Sequence, residues 1–163
     1  MSVLDQQMVP NDSAQIAEPS LRRLYQYWEG KRIGGHLPAR HDIDPLDFPY
    51  ALGRIMLVNV VDDPPRFRVR LHGSEMARHA GYDLTGKWLD DLPDPEYRAY
   101  VIGRCASLVA SGQPVLVHHD RILDGRVSHY QALWLPFSDN GTDVAMLLCA
   151  LIYETRTPSG ARP

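Results

Sequence analysis

Strong charge of either sign is missing from this chain of 163 residues, whose formal net charge is −3 and whose pI is near 6.1. No global field draws it to phosphate backbones or anionic lipid surfaces, so nucleic acid is not an expected partner. Cysteine is scarce: Cys105 and Cys149 are the two present, too few for a disulfide scaffold, and both are expected as reduced, mostly buried thiols. Long apolar runs are also absent. The longest, residues 144–153, is about half of the ~20 residues that a bilayer span requires, so membrane insertion is not expected. Residues 1–17 lack the basic and apolar regions of a signal peptide, which makes a cytoplasmic protein the expectation.

Catalytic signatures are missing too. Ser107, Ser111 or Ser128 can be combined on paper with a histidine and an aspartate, but neither a Gly-x-Ser-x-Gly elbow nor a phosphate loop accompanies them, and an enzyme is not expected. Neither Cys-x-x-Cys nor His-Glu-x-x-His occurs. Of the seven histidines, His36, His41, His72, His79, His118, His119 and His129, the adjacent pair must point to opposite faces of a strand, so the two cannot grip one metal from one side. No metal site is expected.

What the chain does contain is an ordered series of short elements. Residues 1–19 are polar, rich in Gln, Asp, Asn and Pro, without period, and are expected to be disordered, as is a tail at 155–163. Ser20 can cap a helix in which Leu21, Leu24, Tyr25 and Trp28 form one apolar stripe ending near Gly30, a candidate interaction surface. Residues 34–47 read as a structured lead-in, with Asp44 as cap, Pro45 in the first turn and Asp47 completing the pattern. Residues 55–61 and 67–71 read as a hairpin turned by Asp62-Asp63-Pro64-Pro65. Phe67, Val69 and Leu71 are placed on one face, with Arg66, Arg68, Arg70 and His72 on the other.

The arginine stripe could meet an anion, but pairing with nearby acids such as Asp42, Asp44 and Asp47 is the expectation. Short helical turns follow, then a helix over 95–112, ended by Gly112 and Pro114, whose apolar face carries Tyr97, Val101, Ile102, Cys105, Leu108 and Val109. Three strands at 115–123, 127–135 and 144–153 complete a meander with turns at Asp124-Gly125 and Asp139-Asn140-Gly141. The last strand is apolar on both faces and is therefore expected at the centre. Its outer side calls for cover by the 21–28 helix or by a second subunit, hence a homodimer through that face.

The run Gly81-Tyr82 to Leu84-Thr85-Gly86-Lys87, the Pro95-Glu96 helix start, Asp124-Gly125, Trp134-Leu135-Pro136-Phe137 and Tyr153-Glu154-Thr155 together resemble a PAS domain over residues 55–154. The leader Leu37-Pro38-Ala39-Arg40 with Asp42, Asp44 and Pro45 looks like that of a bacterial family of short single-PAS proteins. The resemblance implies an α+β fold with a five-stranded antiparallel sheet in the order 2-1-5-4-3, helices on one face, and the amphipathic N-terminal helix as an addition, in one domain over 20–154. It also implies a stand-alone sensory or interaction module of bacterial two-component signalling. Such a module acts by dimerising or by binding a sensor kinase or response regulator, with a small-molecule receptor as the alternative.

Haem is disfavoured because the 95–112 helix has no histidine. A photoactive flavin is disfavoured because Gly86-Lys87-Trp88-Leu89-Asp90-Asp91 stands where the photoreceptor branch has its cysteine motif. Alignment on Pro136 turns Tyr130 and Trp134 toward the PAS cavity, and alignment on Gly125 does so for His118. With Val101, Cys105, Leu108, Leu147 and Cys149 they would surround a small apolar ligand site; the ordinary alternative is that these side chains fill the core.

Overall fold

The computed structural model describes residues 5–62, 64–123 and 126–154, with the backbone alone at residue 5 and at 121–128. Its elements in chain order are β1 (Asp5–Met8), α1 (Pro19–Gly30), β2 (Ile55–Val61), β3 (Arg66–His72), α2 (Ser74–Ala80), α3 (Pro95–Ser111), β4 (Val115–Leu123), β5 (Arg126–Ser138) and β6 (Val144–Glu154), with single 3₁₀ turns between them. All strand pairs are antiparallel, in the order β1-β4-β5-β6-β2-β3. This is the expected 2-1-5-4-3 arrangement with one strand more. β6 is central, and its residues alternate between two buried layers: Leu147, Cys149 and Leu151 on the inner side, Met146, Leu148 and Ala150 on the outer.

The extra strand corrects the expectation of disorder over 1–19, since residues 5–8 pair with β4 and Asp12 caps a 3₁₀ turn at Ser13–Gln15. Its polar residues carry no pattern of their own, so their order comes from the unpaired edge of β4. Residues 1–4, the Asp124-Gly125 turn and the tail at 155–163 lie outside the described residues. The first helix is capped by Glu18, not Ser20: the Glu18 carboxylate accepts the Leu21 N–H at 2.9 Å and Pro19 occupies the first turn. Asp44 caps Pro45–Asp47 as expected.

On the outer face α1 lays Leu21, Leu24, Tyr25 and Trp28 against Leu116, Leu133, Leu135, Phe137, Met146 and Leu148. The Trp28 indole N–H donates to the Pro136 carbonyl at 2.7 Å. That carbonyl is available because β5 runs on past Trp134, where its pairing with β4 begins at Val115; Pro136 therefore deprives that ladder of no bond. The four stripe residues are at most 2 % exposed. They are core residues of this chain and not an interaction surface, and the apolar outer face expected to pair with a second subunit is already covered.

On the inner face lie α2 and α3. Asp94 accepts the N–H groups of Glu96 and Tyr97, Pro95 opens α3, and Gly112 closes it at φ 62°. The buried stripe of α3 is Val101, Cys105 and Leu108.

Candidate functional site

The site begins with an irregularity in one hairpin. Between β2 and β3 the register runs Leu57 with Leu71 and then Val58 with Val69, so Arg70 is an extra residue. A bulge of this kind reverses the alternation of everything beyond it. Phe67 and Val69 face the inner core as expected, whereas Leu71 packs against the outer layer and His72 turns inward. The expectation that Leu71 shares a face with Phe67, and His72 with the arginines, is corrected accordingly. Gly73 then carries the chain into α2 so close to the preceding turn that a Cβ there would lie 2.4 Å from the Gly53 carbonyl oxygen.

His72 enters a cavity of about 100 Å³ beneath α2 and α3. Its walls combine Met56, Met76, Leu84, Leu89, Leu92, Val101 and Leu151 with the rings of His72, His79, Tyr82, Tyr97, Tyr130 and Tyr153. Among the described residues no Asp, Glu, Lys or Arg lines it. The Leu84 N–H donates to His72 Nδ1 at 3.1 Å, which places the imidazole proton on Nε2. Burial pushes the His72 pKa below its ordinary 6.5, against a smaller opposing pull from Asp83. Tyr130 is held neutral by burial, with the Tyr97 hydroxyl as neighbour. At the rim, the exposed His79 stacks on Tyr153 with centroids 3.9 Å apart.

An aromatic file leaves the cavity. Tyr153 meets Tyr130, Tyr130 meets His119 at 4.7 Å, and His119 meets Tyr100 of α3 at 4.8 Å. Arg104 carries it on to β1, hydrogen-bonding Gln7 and lying 5.7 Å from the Tyr100 ring.

Of the eight expected cavity residues, Val101 and Tyr130 line it. Cys105, Leu108, Trp134, Leu147 and Cys149 belong to the same inner core but pack beside the cavity. Burial pushes the Cys105 thiol up to about 12 and the Cys149 thiol upward as well, so both remain protonated and unreactive. His118 is misplaced by one residue. Trp134 pairs with Val115, so Val117 and His119 follow it inward, while His118 points outward toward Glu154 at 3.7 Å. Counting from Trp134 instead of from Gly125 would have found His119. Tyr97 was legible as the residue four before Val101, but nothing local in the sequence announces the bulge that delivers His72.

The arginine stripe finds partners other than Asp42, Asp44 and Asp47. Arg66 lies 4.1 Å over the Trp88 ring and 3.7 Å from Asp90, and Arg68 donates to the Gly86 carbonyl. Asp44 is a cap and Asp47 accepts the Tyr27 hydroxyl. Among the described residues no group of three or more His, Cys, Asp or Glu side chains is arranged to hold a metal ion, and no helix is long and apolar enough to cross a membrane.

A strand, a bulge, a run of short helices over a small chamber and a three-strand return make up the inner half, and a PAS domain model matches residues 16–152. The chain belongs to the PAS domain family. PAS domains are in general sensory and interaction modules, not catalysts. No curated protein matches the chain. Among solved structures it is similar to that of an RNA-binding light-oxygen-voltage receptor, at 15 % identity with a TM-score of 0.46, over 93 % of this chain and 38 % of that one. The chain thus spans well under half the length of that receptor. The match to the PAS model takes in α1 as well as β2 to β6, and begins after β1.

Proposed function

We propose that this PAS domain is a cytoplasmic sensory module of bacterial signal transduction whose cavity receives a small molecule and thereby changes how the domain engages another protein. That protein is a partner such as a sensor kinase, or a second copy of the chain. The observation that carries the reading is the chamber itself: a bulge turns a neutral histidine into it, four tyrosines wall it, and buried leucines and methionines form the rest. A purely structural inner core would close such a space, because interiors pack to crystal-like density. Between the two classes expected from the sequence, the cavity supports the receptor. The interaction module loses its main candidate surface with the burial of Leu21, Leu24, Tyr25 and Trp28.

Size limits the occupant. Sites for drug-sized ligands span roughly 300–1,000 Å³, so a chamber of about 100 Å³ argues against the tricyclic ring of a flavin or a haem macrocycle. Cys105 and Cys149 do not line it, which further disfavours a flavin–cysteine adduct. Native mass spectrometry of freshly purified full-length protein, read beside its denatured spectrum, tests the proposal. The expected result is a retained small mass that is lost from a Val101→Phe variant, in which the larger ring fills the chamber. A wild-type spectrum without such a mass, together with no thermal stabilisation by any small-molecule probe, contradicts the receptor.

A further inference from the structure

We infer that the chamber selects a neutral molecule of one aromatic ring bearing a hydroxyl group, the phenol class, and rejects the corresponding carboxylates; this rests on the receptor reading above. Volume sets the first limit. Apolar cavities of about 150 Å³ take up benzene, so a space of about 100 Å³ is tight for even one ring and admits a single small ring only as the lining side chains give way. The walls set the second. Tyr82, Tyr97, Tyr130 and Tyr153 with the two imidazoles offer ring faces and edges to a planar guest, and aromatic pairs gain from offset and edge-on contact beyond the area they bury.

Charge sets the third limit. With no Lys or Arg among the described lining residues, a carboxylate would be desolvated without a counter-ion, which is costly in an apolar site. Asp83 adds repulsion, its carboxylate standing 3.9 Å from His72 Nδ1. The polar handle is specific. His72 is 7 % exposed, its Nδ1 is occupied by the Leu84 N–H, and its Nε2–H is the donor it has left to offer a guest. A donor on the wall of an apolar chamber is matched by a guest that brings an acceptor. A phenolic oxygen supplies one, and its own proton is then free to be donated to a tyrosine oxygen such as that of Tyr130.

Calorimetric titration of the full-length protein at about pH 8, where histidines of ordinary pKa are neutral and phenols are still protonated, tests the assignment. The probes are para-cresol, toluene and para-hydroxybenzoate. Binding of para-cresol is expected to exceed that of toluene by up to about tenfold, the value of one neutral hydrogen bond, and para-hydroxybenzoate is expected to give no heat. His72→Asn retains an acceptor for the Leu84 N–H but is too short to reach the guest, so it should reduce para-cresol toward the affinity of toluene. His72→Phe should do the same, with circular dichroism to verify its fold. Binding of para-hydroxybenzoate as tight as that of para-cresol overturns the neutral class and leaves the receptor standing. Full para-cresol affinity in His72→Asn overturns the histidine handle. Absence of heat from all three probes, with a small mass still retained in native spectra, overturns the phenol class alone; absence of both overturns the receptor as well.

Discussion

The two faces of one sheet are built to different standards. Of the twelve largest fully buried side chains, ten belong to the outer layer under α1, and Leu89 and Leu108 are the two on the inner side. The outer layer is mainly Trp, Phe, Leu, Ile, Met and Ala, and the polar groups of its buried Tyr25 and Trp28 donate to the Pro10 and Pro136 carbonyls. The inner layer contains Tyr82, Tyr97, Tyr100, Tyr130 and Tyr153, His72, His119, both cysteines and the chamber. Close packing contributes stability, while open volume and polar groups reduce it. The chain therefore places its stability on one face and its recognition chemistry on the other, with β6 shared between them.

Substitutions on the two faces should behave differently. The largest effect is expected from Trp28→Ala, which empties a fully buried site and deprives the Pro136 carbonyl of its donor. Large-to-small changes at buried tryptophan cost about 3–5 kcal/mol, so denaturant melts should show a protein near the limit of folding. Gly73→Ala comes next. Its Cβ would meet the Gly53 backbone, and overpacking of this kind costs about 1–3 kcal/mol. Because Gly73 adjoins His72, cavity binding should weaken along with stability, whereas Trp28→Ala should alter stability without changing which probe binds.

A smaller effect comes from pH. His72 has its pKa lowered in the folded state, so the unfolded chain binds the proton more readily. The His72 contribution to stability is therefore full above the ordinary 6.5 and is lost as pH falls from there through the lower folded value. Thermal melts across that window should show declining stability in the wild type and a flatter profile in His72→Asn. Arg66→Ala gives the smallest change. The Trp88 contact is on the surface, where a cation–π pair is worth about 0.5–1 kcal/mol, and neither face of the sheet should respond in binding.

Much of this contrast was readable from residue order. The apolar period of 95–112 with its Asp94-Pro95 and Gly112 ends fixes α3, and the double-sided apolar run at 144–153 places β6 at the centre. The amphipathic stripe of 21–28 was equally clear, but an apolar stripe does not say whether it meets its own sheet or another chain. The site was less legible because it depends on parity. One extra residue at Arg70 turns His72 inward, and one residue of offset exchanges His118 for His119. Strand alternation amplifies such single steps into a change of face. Strand β1 could not be read at all, since Asp5–Met8 has neither alternation nor branched residues and is ordered by the edge it joins.

The most direct test is a methyl NMR titration of the full-length protein with para-cresol. The account predicts shifts at the methyl groups of Met56, Met76, Leu84, Val101 and Leu151, which line the chamber, while Leu21, Leu24, Leu133 and Leu148 of the outer layer stay in place. Shifts centred on the outer layer, or a saturated complex in which the chamber methyl groups do not move, would contradict it.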